Sequence, residues 1–257
     1  MQYILKHLEI GEMIGMNNEL DLNRLIEEQG VLVKGFKANL EDKEAFALSR
    51  KDTFGGSDTS ILLGVNLYTT LEQLREQKHN KFLTEEEKAV GEKPIVRKGA
   101  DLEPFILSKA QEEIGKEIYK PENTYIFKEY KYMSLNYDGV FVNDNGKPIP
   151  VEAKLVSKFG EKYYKKDISI KEMEDIVVEK KSDDIAIHIK LMANKFGIPP
   201  YYYTQVQREI EGLGADYGYL IAWFDESWTG KLYRIKRDDY VIVADIKACD
   251  ENKDCLQ

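Results

Sequence analysis

The chain has 257 residues, of which 42% are hydrophobic and 32% are charged, and its formal net charge is −9. Both charge signs are interspersed, which excludes a disordered chain, and no apolar run approaches the roughly 20 residues of a membrane span. The acidic balance counts against a protein that coats DNA through bulk charge, although it leaves room for a local basic groove.

The N-terminal half is predicted to be mainly helical. Residues 1–45 are expected to form a variable extension with a short helix at 21–29 and a strand at 31–33. A glycine turn at 54–58 is expected to open a helix that ends at Gly64, and another helix is predicted at 71–78. After an acidic, polar stretch at 84–93, Asp101 is the expected cap of a helix over 102–114, which places Glu103 in its first turn.

The second half predicts a sheet. Strands are expected at 125–135, 139–142 and 149–156, the last two joined by the Asp-Asn-Gly turn at 144–146. A charged helical segment follows at 167–196, two prolines break it, and a helix over 202–213 leads into a strand at 217–224; short apolar segments lie at 231–235 and 240–243. This order of helices, meander, helix and strand predicts an α/β fold with helices packed on a central mixed sheet.

Three residues of the predicted meander could form a catalytic centre. Glu-x-Lys occurs seven times in the chain, but only Glu152 and Lys154 lie in a strand pattern that sends both side chains to one face. Asp138 precedes Glu152 by 14 positions, and the hairpin turn folds the two strands together. Two carboxylates suit Mg²⁺, and Lys154 could position or deprotonate water and stabilise charge on phosphate. A turn Asp beside an edge-strand ion pair is the alternative that local sequence leaves open.

Cysteine and histidine spacing limits the kind of metal site. Cys249 and Cys255 lie close together near the C-terminus, and the three histidines are scattered without zinc-site spacing. An iron–sulfur cluster would need four thiolates, and the chain has two. Any metal is therefore expected to be held by oxygen atoms.

Five segments, taken in order, resemble a known family. They are Gly-Gly-Ser-Asp-Thr-Ser-Ile-Leu-Leu-Gly at 55–64, Lys-Gly-Ala-Asp-Leu-Glu-Pro at 98–104, Asn-Tyr-Asp-Gly at 136–139, Val-Glu-Ala-Lys at 151–154 and Tyr-Thr-Gln-Val-Gln at 203–207. Together they resemble the phage-type (lambda exonuclease-like, YqaJ-like) recombinase exonucleases of the PD-(D/E)xK nuclease superfamily. The resemblance implies a restriction-endonuclease-like core over residues 46–245, with a charged helical insertion at about 160–198 and a tail at 246–257.

The resemblance also implies roles for individual residues. Asp138 and Glu152 would bind metal together with the backbone carbonyl of Ala153, and Lys154 would be the catalytic lysine. Two further residues would complete the site. Glu103 would be an acidic group that faces the metal, either as a ligand or through an indirect contact. Gln205 would help to position the nucleophile or the scissile phosphate. Their structural alternatives are a favourable charge near a helix start and an exposed polar side chain.

A second site is expected for the terminal 5′-phosphate of DNA. Ser57 lies at the glycine turn, where free backbone N–H groups favour an anion, and Arg50 is close enough in sequence to hold the same phosphate. The resemblance supports an Arg and a Ser at this spacing. The alternative is that Ser57 caps its helix and Arg50 is a surface side chain.

The activity implied is a Mg²⁺-dependent DNA exonuclease, with Mn²⁺ as a substitute, that acts 5′ to 3′ on linear duplex ends and leaves 3′ overhangs for recombination. A single-strand annealing recombinase and a homo-oligomer, such as a trimeric ring, would be its partners. The expected location is the cytoplasm, that of a bacterial host if the chain is phage-encoded, with no membrane association. An endonuclease on the same core and a non-catalytic DNA-binding or assembly protein remain the alternatives.

Overall fold

Two β-sheets organise the chain in the computed structural model, which describes residues 18–37 and 47–257. A three-stranded antiparallel sheet has the order β1-β2-β3. A four-stranded mixed sheet has the order β4-β5-β6-β7, in which only β5 and β6 run parallel. The strands are β1 (Leu32–Lys37), β2 (Asn123–Phe127), β3 (Ser134–Leu135), β4 (Gly139–Val142), β5 (Pro148–Val156), β6 (Tyr217–Phe224) and β7 (Thr229–Lys236).

The predicted single meander is wrong, because its first strand belongs to the smaller sheet. Residues 125–135 form β2 and β3, which pair with β1, while β4 and β5 pair with each other in the larger sheet. The charged residues Lys128, Glu129 and Lys131 lie in the connection between β2 and β3, where they end the alternation of buried side chains. The predicted hairpin between β4 and β5 is confirmed, and Gly146 in its turn has a left-handed φ of 76°.

Ten α-helices lie in the described ranges and pack around these sheets. They are α1 (Asn18–Glu28), α2 (Thr59–Leu62), α3 (Leu71–His79), α4 (Glu85–Glu92), α5 (Pro94–Ile114), α6 (Lys158–Glu161), α7 (Ile170–Asp175), α8 (Ile185–Phe196), α9 (Pro200–Gly212) and α10 (Asp239–Asn252). None of the helices in the described parts of the chain is long and apolar enough to cross a membrane.

Local capping signals explain where several helices differ from expectation. The acidic stretch at 84–93 is a helix, because Thr84 accepts a hydrogen bond from the Glu87 backbone and Glu87 reciprocates. Helix α5 begins eight residues before its predicted start, because Pro94 occupies the first helical position, where a proline loses no hydrogen bond. The predicted end of α5 at Gly115 is confirmed, since this glycine adopts φ 71°.

The C-terminal half shows similar differences. The charged segment at 167–196 is two helices, α7 and α8, capped separately by Ser169 and Asp184. Helix α9 begins at Pro200, again a proline at a first helical position. Residues 240–243 lie in α10, which continues through most of the segment predicted as a tail. Cys249 of α10 is buried, and both cysteines are free thiols.

Two helices sandwich the larger sheet at β5. Helix α5 and helix α9 both pack on this strand. Val151, Glu152 and Ala153 in the middle of β5 are all buried. A charged side chain at such a position has to find its partners on a neighbouring element, since it is shielded from solvent.

Candidate active site

The register of β4 and β5 brings Asp138 beside Glu152. Gly139 pairs with Val151, so the preceding Asp138 lies opposite Glu152. The ammonium of Lys154 forms an ion pair with Glu152 Oε1 and lies 3.7 Å from Asp138 Oδ2. The three residues singled out from the sequence therefore meet in one cluster. The alternative of a turn Asp beside an ion pair on an edge strand is wrong, because β5 lies between β4 and β6.

Glu152 is the most constrained residue of this cluster. Its side chain is fully buried, no N–H group of the described residues donates to its Oε2, and the carboxyl group of Glu209 is its nearest acidic neighbour on α9. Burial, reinforced by the negative charge of Asp138, raises the pKa of Glu152 to about 7. Burial by itself would lower the pKa of Lys154, but the carboxylates of Glu152 and Asp138 outweigh it and raise that pKa. The cluster thus holds Lys154 as a cation and leaves one carboxylate oxygen without a partner.

Helix α9 supplies two more groups to the cluster. Gln205 Nε2 donates to Glu152 Oε1 at 2.5 Å and to Glu209 Oε1 at 3.2 Å. Glu209 is buried, and burial followed by the charge of Glu152 raises its pKa well above the usual range. The predicted Gln205 therefore contacts the centre, whereas Glu209 was missed. Its spacing of four residues from Gln205, which places both on one helix face, was the available signal.

Glu103 faces the same centre from α5. It lies in the third turn of the helix and not in the first, because α5 begins at Pro94. Burial, followed by the negative charge of Asp138, raises the pKa of Glu103. Its carboxylate pairs with Lys120, a residue that the sequence did not single out. The helix-start explanation of Glu103 is therefore wrong for this position.

The donor set of the cluster fits a hard cation. Asp138, Glu152 and the backbone of Ala153 meet at one place, where the Ala153 N–H donates to Asp138 Oδ2 at 3.0 Å. The partnerless Glu152 Oε2 is a buried anionic acceptor, and carboxylate oxygens are what Mg²⁺ and Mn²⁺ prefer. Across residues 18–37 and 47–257, no three His, Cys, Asp or Glu side chains form a ready-made metal-ligand group. Asp138, Glu152 and the Ala153 carbonyl stay the predicted ligands.

Arg50 and Ser57 also come together. Arg50 Nη2 donates to Ser57 Oγ at 2.9 Å on the surface. Ser57 lies in a 3₁₀ turn (Gly56–Asp58), and the helix that follows, α2, has only four residues. The expected helix that ends at Gly64 is confirmed in α2, because Leu63 is its C-terminal cap and Gly64 adopts a left-handed φ of 69°.

A buried ion pair holds the segment that carries Arg50 and Ser57. Lys78 Nζ contacts Asp58 Oδ2 at 2.7 Å and donates to the carbonyls of Arg50 and Thr53. The neighbouring Gly56 packs against Gln205, since a Cβ added there would lie 3.5 Å from Gln205 Cγ. The Arg50 and Ser57 pair is thus fixed at the edge of the carboxylate cluster.

The lysines of the segment at 160–198 are largely engaged in local pairs. Lys166 pairs with Glu161, Lys180 with Asp183 and Lys181 with Glu179. Lys165 donates to the carbonyl of Asn194. These contacts are typical of a solvated, charged surface.

Comparison with known proteins supports the same fold. The sequence model of the YqaJ-like viral recombinase domain matches residues 45–212. No curated protein matches the chain. The structure resembles that of LHK-Exo in complex with dAMP, with a TM-score of 0.55 and 13% identity over 83% of this chain and 92% of that one. It also resembles the alkaline exonuclease LHK-Exo from Laribacter hongkongensis, with a TM-score of 0.52 and 12% identity over the same shares. The predicted fold class is confirmed.

Proposed function

The chain belongs to the YqaJ-like viral recombinase family, and we propose from this membership and the carboxylate cluster that it is a divalent-metal-dependent DNA exonuclease. The observation that carries the proposal is the convergence of Asp138, Glu152, Lys154 and Gln205 around a buried carboxylate oxygen with no partner among the described residues. A fold needs no such arrangement, since a buried acidic oxygen that lacks a hydrogen-bond donor costs free energy. The structural likeness to LHK-Exo, an alkaline exonuclease, adds support.

Each residue has a defined part in the proposed reaction. Asp138, Glu152 and the Ala153 carbonyl would hold Mg²⁺ or Mn²⁺, which supplies an activated water and charge stabilisation when bound. The Lys154 ammonium lies where it can stabilise negative charge on the scissile phosphate. Gln205 fixes the orientation of Glu152 and presents an amide to the same space. Glu103 adds negative charge behind Asp138, which strengthens the attraction for a cation.

The Arg50 and Ser57 pair favours action at strand ends over internal cleavage. A guanidinium beside a hydroxyl can bind a terminal phosphate through charge-assisted hydrogen bonds, and a fixed distance from that phosphate to the metal centre would define the bond that is cut. We therefore propose 5′-to-3′ digestion of linear duplex DNA with 3′ overhangs as the product. The proposed partners are a single-strand annealing recombinase and further copies of the chain, arranged in a closed ring.

End-labelled DNA tests the proposal directly. Linear duplex labelled at either the 5′ or the 3′ end, and a circular duplex of the same sequence, are incubated with the protein and Mg²⁺, with and without EDTA. The expected result is early release of the 5′ label as mononucleotide, an intact circle and no reaction in EDTA. Linearisation of the circle would instead assign an endonuclease, and an absence of cleavage in Mg²⁺ and Mn²⁺ would contradict the proposed activity.

A further inference from the structure

Three tyrosines form a connected row that leads from the catalytic lysine to the surface. The Lys154 ammonium lies 5.6 Å from the centre of the Tyr202 ring, and the Tyr202 and Tyr201 ring centres are 4.6 Å apart. The Tyr201 ring meets the Tyr68 ring edge to face at 6.1 Å. We call Tyr202, Tyr201 and Tyr68 the tyrosine row.

The exposure of the row increases away from the active centre. Tyr202 and Tyr201 are half-buried between α9 and its neighbours, whereas 76% of Tyr68 is exposed. A ring this exposed contributes little to the core, because the stabilisation from burial scales with the apolar area removed from water. The edge-to-face contact with Tyr201 fixes the Tyr68 ring and leaves much of its surface open to solvent.

Hydrogen bonds tie the outer end of the row to Ser57. Asn66 Oδ1 accepts from the Tyr68 backbone N–H at 2.8 Å, and Asn66 Nδ2 donates to Ser60 Oγ at 2.8 Å. Ser60 Oγ in turn donates to the Ser57 carbonyl at 3.3 Å. The tyrosine row therefore spans the space between Lys154, at the carboxylate cluster, and the segment that carries Ser57.

We propose that the tyrosine row binds the unpaired base of the 5′-terminal nucleotide of the cleaved strand, with that base stacked on Tyr68. This inference rests on the proposed function, in which the terminal nucleotide has its 5′-phosphate at Arg50 and Ser57 and its scissile phosphate at Lys154. A base held between those two phosphates faces the row. Stacking on an aromatic ring suits an exonuclease that digests DNA without sequence preference, because each base has a π-face and no base-specific hydrogen bond is required.

The competing explanation is that Tyr68 only anchors its loop to α9. Under that explanation, truncation of Tyr68 would loosen the Ser57 segment and affect all DNA ends alike. A stacking role affects only those ends that carry a base. Removing the base from the substrate therefore separates the two explanations.

The test uses two 5′-phosphorylated linear duplexes that differ in one residue. The cleaved strand begins with either an unpaired normal base or an abasic residue. We measure kcat/KM for release of the first nucleotide by the wild-type protein, Tyr68→Ala, Tyr68→Phe and, as a control on an exposed tyrosine outside the row, Tyr240→Ala. The wild type, Tyr68→Phe and Tyr240→Ala are expected to cleave the abasic end about tenfold more slowly than the normal end, the lower range for one base–aromatic stack. Tyr68→Ala is expected to cleave both ends at the slow rate.

Two other results would overturn the proposal. If Tyr68→Ala slows both ends equally, or neither, the base does not stack on the row, and the nuclease assignment stands. If the wild-type protein cleaves neither duplex in Mg²⁺ or Mn²⁺, the proposed function fails and the row's role fails with it. If Tyr68→Ala melts at a lower temperature than the wild type, the same rates are measured for Tyr68→Leu and Tyr68→Trp. These two variants compare a non-aromatic with an aromatic side chain of substantial size.

Discussion

Helix α9 carries two buried charged clusters on neighbouring residues, and they are built on opposite principles. Arg208 is fully buried and donates five hydrogen bonds within the described part of the chain. Two bind the carboxylate of Asp245, two bind the carbonyls of Phe54 and Gly55, and one reaches the sulfur of Cys249. An arginine has five N–H donors, so this cluster is complete.

The cluster around Glu152 contains more carboxyl groups than cations. Glu152 lies beside Glu209, Asp138 and a single ammonium, that of Lys154, and its Oε2 has no partner among the described residues. Burial and mutual repulsion raise the pKa of both glutamates. The contrast separates two uses of buried charge. The complete cluster of Arg208 holds the Gly55 turn in place, and the incomplete cluster of Glu152 is the one at which we propose that a cation binds.

The largest expected effect is the loss of activity on neutralising the incomplete cluster. Glu152→Gln and Asp138→Asn each remove a metal-binding charge with little change in volume, so DNA cleavage is expected to fall by orders of magnitude. The melting temperature should stay close to that of the wild type or rise, because a crowded charge has been removed. Cleavage by either folded variant at the wild-type rate would remove these residues from the proposed metal site.

The opposite outcome is expected for the complete cluster. Arg208→Met leaves Asp245 buried without its partner and removes the donors to the Gly55 turn. The free energy of unfolding is expected to fall by about 3–5 kcal/mol, the usual cost of breaking a buried ion pair. Urea denaturation of the variant beside Glu152→Gln measures the contrast directly. Equal stability of the two variants would mean that the clusters do not differ in the way described.

A smaller and selective effect is expected at Arg50. Arg50→Ala is expected to slow the digestion of 5′-phosphorylated ends by about tenfold to a hundredfold, because a hydrogen bond to a charged group contributes about 1.5–3 kcal/mol. Ends with a 5′-hydroxyl should change little. Rates on matched duplexes that differ only in the terminal phosphate provide the measurement, and Arg24→Ala in the exposed α1 pair with Glu28 serves as the control. An equal loss of rate on phosphorylated and hydroxyl ends would mean that Arg50 has a structural role and does not bind the terminal phosphate.

A gradual effect is expected on stability as a function of pH. Folding raises the pKa of Glu152 from its ordinary 4.5 to about 7, so the metal-free folded protein holds a proton that the unfolded chain releases in this window. The contribution of Glu152 to stability is therefore greatest below pH 4.5 and declines as the pH rises to 7, by on the order of 1 kcal/mol per pH unit. Denaturation in EDTA should show a shallower decline for Glu152→Gln than for the wild type. Parallel pH profiles would contradict the shifted pKa.

Local patterns made part of this structure predictable. The alternation around Glu152 and the turn at 144–146 define a hairpin, and the hairpin register decides that Asp138 meets Glu152. Gln205 and Glu209 share a helix face because of their four-residue spacing. The proline start signal at Pro94 lies eight residues before the predicted helix start, so Glu103 lies in the third turn of α5 and not in the first.

The remaining features depend on contacts between distant parts of the chain. Lys120 pairs with Glu103, and Asp245 with Arg208, across separations that no spacing rule covers. The division of the predicted meander into two sheets likewise depends on β1, which pairs with β2 from far upstream. Tertiary packing selects these partners, so their residue types alone do not reveal them.

Titration of the DNA-free protein with Mn²⁺ tests most directly whether the Glu152 cluster is a cation site. Calorimetry at pH 8, above the raised pKa of Glu152, compares the wild type with Glu152→Gln, Asp138→Asn and, as a control for a buried acid elsewhere, Asp245→Asn in preparations shown to be folded. The expected result is Mn²⁺ binding by the wild type and Asp245→Asn, weakened at least about tenfold in the two cluster variants by loss of an anionic ligand. Equal Mn²⁺ affinity in the wild type and both cluster variants would contradict the account, because the cation would then bind somewhere else.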